Sequence, residues 1–176
     1  MTESDLMHRL SGLLGDAGVR SSLEAVADDL LDELRNDPAQ PKSTFRSIPL
    51  SLYRSLPPDI RSSWVFALRG GLSHPPERHP NSIQRMFALN RPGRFGWWDG
   101  DQWVTRELLP GDDGLSIPRD TWHRMPAQEE DWVVASFHTV ADDELVKIVG
   151  DPASGEVGST RVYLAGSDSG RDRFSR

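Results

Sequence analysis

The side chains able to do chemistry gather in two stretches, residues 73–93 (SHPPERHPNSIQRMFALNRPG) and 117–123 (IPRDTWH). Together they hold His74, His79 and His123, three of the five histidines, among Pro and Gly breaks and a run with strand character. Donor groups at this spacing, brought together by two β-turns, are what a single-metal site in a small barrel needs. His138 lies in the strand-like run ASFHT. Turned inward with Ser136 it is a candidate acid–base group or a further histidine ligand, and an ordinary strand histidine is an equal alternative. Arg85 and Arg94 alternate with apolar residues. Facing inward, either could bind a carboxylate substrate by a bidentate pair; facing outward, the commoner case, they are solvent arginines. Trp97, Trp98 and Trp103 cluster at one hairpin, as core or homodimer interface, with a substrate-stacking wall as the alternative.

The elements that must position these groups follow from periodicity. Leu6, Leu10, Leu13 and Leu14 recur at helical spacing, as do Leu23, Val26, Ala27, Leu30, Leu31 and Leu34. Gly15 and Gly18 separate the two runs, Ser21 with Glu24 forms a capping box, and Asn36-Asp37-Pro38 stops the second helix. Residues 1–40 therefore read as a helical extension, packed on the outside of the main domain or serving as a dimer or partner element. Residues 41–62, rich in Pro and Ser, read as a linker with one helical turn lying along the domain. From Ser63 the period becomes two. Runs at 64–68, 84–89, 94–98, 103–105, 115–117 and 132–140 are strands, and Asp99-Gly100 marks a hairpin. Residues 63–151 thus predict a barrel or sandwich. In 152–176, the patch Val162-Tyr163-Leu164 could add an edge strand, and the last ten residues have the composition of a mobile tail.

Composition narrows the function. The 176 residues are 36% hydrophobic, enough for one medium core, with no 18-residue apolar run for a membrane helix. There is no basic-then-apolar start of a secretion signal and no cysteine, so disulfides, thiolate metal sites and a Cys nucleophile are excluded, and a cytoplasmic location is expected. The net charge is −7, and residues 1–40 carry nine acids against three bases. That face is a solvated surface or a docking face for a protein partner; no basic stripe for nucleic acid is present.

Residues 77–123 resemble the cupin family. His79 fits the second ligand of the family's first motif, Gln84 stands where that motif usually has Glu, and Gly93 fits its turn glycine. Gly111-Asp112, Ile117-Pro118 and His123 fit the second motif. The departures are Glu77 at the first His position, giving Glu-x-His, Arg91 and Asp120 at usual glycines, and one extra residue between Gly111 and Pro118. The resemblance implies a mainly β fold, a double-stranded β-helix (jelly-roll) barrel with the N-terminal α-helical extension. It implies one divalent metal, Fe(II) or Zn(II), held by Glu77, His79 and His123, with His74 as a substitute ligand. Gln84 would then be a weak fourth ligand or a group bonding a bound water, and Gln84, His138 and Arg85 are the catalytic candidates.

The function expected is a mononuclear metal-dependent enzyme acting on a small polar metabolite, with Fe(II) oxygenation of an organic acid or amino-acid derivative ahead. The competitor is a redox-neutral Zn(II) rearrangement, isomerisation or lyase reaction in natural-product biosynthesis; HPNSIQRMF is loosely similar to the cupin domains of hydrazine-forming synthetases. A third class is a non-catalytic binding barrel. Fold alone does not choose among them.

Overall fold

The computed structural model describes residues 1–39 and 41–162. Two helices come first, α1 (Glu3–Leu14) and α2 (Ala17–Asn36). Thr2 caps α1: its hydroxyl accepts from Asp5 N (3.2 Å) while the Asp5 carboxylate accepts from Thr2 N (2.9 Å). The cap of α2 is Asp16, which accepts from Gly18 N and Val19 N at 3.0 and 3.2 Å. The expected Ser21–Glu24 box does not form. Asp16 lies earlier in the chain and satisfies the free N–H groups first, so Gly18 and Ser21 fall inside the helix and Glu24 pairs with Arg20 at 2.8 Å.

Eleven strands follow among the described residues, in two antiparallel sheets. One holds β1 (Ser43–Ser47), β2 (Ser62–Leu68), β9 (Trp132–His138), β4 (Gln84–Ala88) and β7 (Leu115–Ile117), in that order. The other runs β11 (Glu156–Val162), β10 (Val146–Asp151), β3 (Glu77–Arg78), β8 (His123–Arg124), β5 (Gly93–Trp98), β6 (Trp103–Leu108). The helical turn expected in the linker is present at Leu50–Tyr53, but residues 43–47 join the sheet as β1 rather than lying along it. The edge strand expected near Val162 is β11; Tyr163, Leu164 and the tail lie outside the described residues.

Register decides which side chains face inward. Gln84, Met86 and Ala88 pair with His138, Ser136 and Val134, and all six share the inner face, because residues directly opposite in a ladder point the same way. Met86, Ala88, Phe95, Trp132 and Val134 fill one end of the interior with Leu68, Leu108, Ile117 and Met125. The other end is left to polar groups. A second and larger core lies outside the first sheet, where Leu10, Leu23, Leu30 and Leu34 of the helices meet Val65, Phe87, Val133 and Phe137. Composition alone suggested one core; the hairpin builds its own against the sheet's outer face. Each fully buried leucine contributes about 1.5–3 kcal/mol, whereas exposed ion pairs such as Arg35–Asp131 contribute about 0–1. Apolar contact therefore docks the hairpin.

One ionic contact of the hairpin differs, because its cation is buried. Arg85 is 1% exposed and donates to Glu3 of α1 (2.7 and 3.0 Å) and to Asp59 (2.9 Å). The two carboxylates are nearly half exposed. Losing Arg85 lets them hydrate; losing them strands a buried guanidinium. Glu3→Gln with Asp59→Asn should therefore cost about 3–5 kcal/mol in urea unfolding, and Arg85→Met clearly less. The Arg85 hydrogen bond holds the Glu3 carboxyl below its ordinary 4.5. Its contribution is thus complete above the unfolded value and is lost as pH falls through the lower folded one.

Candidate metal centre

Strand β3 is two residues long, bounded by Pro75-Pro76 and Pro80. Alternation sends Glu77 inward and Arg78 outward, where its guanidinium lies 4.9 Å from the Trp122 ring centre and 2.9 Å from Asp120 Oδ1. His79 follows on the Glu77 side. β8 pairs Glu77 with His123, and β5 pairs His123 with Trp97. Asp120, at a usual family glycine, takes the left-handed φ of +62°; its N–H donates to His79 O at 2.9 Å. The turn therefore tolerates the departure, and it fastens the His79 segment to the turn before His123.

Glu77 Oε1 lies 3.7 Å from His79 Nε2 and 3.6 Å from His123 Nε2. The donor atoms of the three residues all fall within 4.8 Å of one another, and all three side chains are buried. The tautomers follow from the opposite ring nitrogens. His79 Nδ1 lies 2.9 Å from Val146 O, and His123 Nδ1 lies 2.9 Å from Thr121 O. A carbonyl oxygen only accepts, so each Nδ1 carries the proton and each Nε2 carries a lone pair. Phe95 stacks on the His123 ring at 5.6 Å.

Two imidazole lone pairs thus face a carboxylate oxygen in a buried space. Acceptors facing acceptors are uncompensated unless a cation lies among them, and His123 Nε2 has no hydrogen-bond partner. Ligands on a tetrahedral ion at about 2.1 Å stand about 3.4 Å apart, close to the separations from Glu77 Oε1. The set therefore fits one divalent metal. Charge balance agrees. Burial, with His123 beside it, pushes His79 down to about 4, the neutral ligand form. Burial alone would raise the Glu77 carboxyl, but Lys147 and then His74 more than offset it, and the group stays well below the usual carboxylate range.

The other expected residues divide clearly. His74 is buried but addresses the far oxygen: its Nδ1 lies 3.5 Å from Glu77 Oε2 and 3.1 Å from Pro75 O. It is not in the three-donor cluster, whose third member is Glu77. His138 is inward, its ring perpendicular to His79 at 5.4 Å and its Nδ1 3.3 Å from Ser82 Oγ. Burial, then the neighbouring His79, lowers it well below the ordinary histidine value. Gln84 faces inward beside it, with Oε1 unpartnered. Arg85 corrects the expectation of a substrate clamp: it is outward and already bound by Glu3 and Asp59. Arg94 is exposed and donates to Ala127 O. Trp97 shares the inner face with His123, while Trp98 and Trp103 pair on the outer face, their rings 5.6 Å apart.

Sequence reasoning missed Lys147, 2% exposed, whose Nζ lies 3.0 Å from Glu77 Oε2. The available signal was one charged residue inside the apolar run VKIV.

No protein-family model matches the chain, and no curated protein matches it. Among solved structures it is similar to the DMSP lyase DddQ from Ruegeria pomeroyi DSS-3, at 22% identity and a TM-score of 0.45, over 56% of this chain and 46% of that one. An oxalate oxidase in complex with glycolate is 14% identical, with a TM-score of 0.46, over 60% and 53%. The oxalate decarboxylase of Lactobacillus farciminis is 14% identical, with a TM-score of 0.45, over 56% and 29%. The chain thus spans about half the length of the first two, and no helix among the described residues is long and apolar enough to cross a membrane. The two antiparallel sheets, with Glu77, His79 and His123 clustered on their inner face, form a double-stranded β-helix (jelly roll), the fold that the cupin resemblance implies.

Proposed function

We propose that this protein is a mononuclear metal-dependent enzyme of a small polar metabolite, with Fe(II)-dependent oxygenation of an organic acid or amino-acid derivative as the leading reaction. The observation that carries the reading is the pair of Nε2 lone pairs facing Glu77 Oε1 in a buried space. Two histidines and one carboxylate, holding Fe(II), supply open positions for oxygen and a chelating substrate. The chain's own groups do the rest. Gln84 Oε1, buried and unpartnered, accepts a hydrogen bond from a substrate hydroxyl or ammonium. His138 stands beside it, with Ser82 Oγ holding its Nδ1 side, as the group that takes or returns a proton. Met86, Phe95 and Ile117 keep bulk water from the far end of the interior.

The test is oxygen consumption by protein loaded anaerobically with Fe(II), offered a panel of small hydroxy and amino acids. Uptake that depends on one acid supports the reading. Gln84→Leu should then raise KM for that acid about tenfold, the value of one hydrogen bond to a buried group, with a smaller change in kcat. Absence of uptake with every acid overturns oxygenation. A redox-neutral Zn(II) reaction is the second reading. It is favoured by Lys147, whose ammonium cancels the Glu77 charge and leaves a bound metal more Lewis acidic. Turnover by the zinc form without oxygen would establish it.

A further inference from the structure

Lys147 lies on the inner face of β10. The pairs Ile148↔Arg78 and Val149↔Glu77 place it beside His79 and diagonal to Glu77. Its ammonium is 3.0 Å from Glu77 Oε2, and His74 Nδ1 is 3.5 Å from the same oxygen. The other oxygen, Oε1, faces His79 and His123. One carboxylate is thus divided, with Oε1 toward the imidazole lone pairs and Oε2 toward a buried cation.

We propose that Lys147 is a positioning residue that holds Glu77 by Oε2 and so restricts it to a single ligand atom, Oε1. The proposal rests on the reading of Glu77, His79 and His123 as metal ligands. A carboxylate can bind a metal through one oxygen or both. Without Lys147, Oε2 is free to turn toward the same ion and fill a position that substrate would otherwise take. The ammonium also repels a nearby dication, because like charges interact strongly where water is excluded. It has a further task in the metal-free protein, where it is the cation that allows a carboxylate to be buried. Removing it should therefore tighten metal binding, raise the coordination number and make the fold depend on metal.

Co(II) is the probe, since its visible spectrum reports coordination number. Anaerobic titration of wild type, Lys147→Met and His123→Ala should give one Co(II) in wild type and none retained in His123→Ala. Lys147→Met should bind Co(II) about tenfold more tightly or better, with weaker and blue-shifted bands. Its metal-free form should melt below wild type, and Co(II) should restore it. Should Lys147→Met not fold without metal, Lys147→Gln keeps an N–H donor for Oε2 without the charge and should still bind Co(II) more tightly. One equivalent in wild type, with the same spectrum and affinity in Lys147→Met or weaker binding in either variant, overturns the positioning role alone. No Co(II) in wild type overturns the metal reading and this inference with it.

Discussion

His79→Ala should lower the affinity for Fe(II) or Zn(II) at least a thousandfold, about 4 kcal/mol, measured by competition with a chromogenic chelator. Among the described residues the cluster offers three donors, so removing one would leave two for a metal. Loss of a partner that merely orients a ligand costs about 10–100-fold, so loss of the ligand itself should exceed that range. His79 also does more than supply Nε2. Its carbonyl accepts from Asp120 N and its Nδ1 side is fixed by Val146 O, so the ring is held before any metal arrives. The variant keeps the backbone contact and loses only the imidazole. Its fold should therefore survive, and the far-ultraviolet circular dichroism should match wild type. His74→Ala should have a smaller effect, because His74 faces Oε2 and lies outside the cluster.

Gly93→Ala should strongly destabilise the fold. A Cβ built on Gly93 would lie 2.1 Å from Trp132 Cε2 and 2.4 Å from its Nε1. The indole cannot yield: Trp132 is fully buried, and its Nε1 donates to Arg91 O at 3.1 Å. Asn90 fastens the same turn to β9 by accepting from Val133 N and donating to Asp131 O. Overpacking of a filled core costs about 1–3 kcal/mol and more where neighbours are pinned. We expect at least about 3 kcal/mol, a fall in melting temperature of about 6–12 °C for a chain of this size. Gly12→Ala is the control. Nothing lies within 4 Å of its Cβ, it is exposed in α1, and helix propensity should make it stabilising by about 0.5–1 kcal/mol.

The Glu-x-His pair was legible through the cupin resemblance, and the structure buries Glu77 and His79 together. The β5–β6 hairpin was legible through its turn chemistry: Asp99 Oδ1 accepts from Asp101 N and Gln102 N, and Gly100 takes a φ of +113°. The strands that carry Glu77 and His123 were not. β3 and β8 have two residues each, too few to show any period, and they exist because β10 and β5 flank them. The orientation of Arg85 was left open for a different reason. β4 and β9 are covered on both sides, by the interior and by the helices, so Met86 and Phe87 are equally buried and alternation does not say which face is inner. Lys147 lies in a strand whose register only the fold reveals. The Ser21–Glu24 pattern was a sound capping signal, overruled by Asp16 five residues earlier.

If Glu77, His79 and His123 hold one metal ion, the protein should carry it through purification. The most direct measurement is the metal content of untagged wild-type protein, purified without added metal, beside His79→Ala. Wild type should carry about one iron or zinc per chain and the variant none. No metal in wild type, even after anaerobic loading, or equal metal in both proteins, would contradict it.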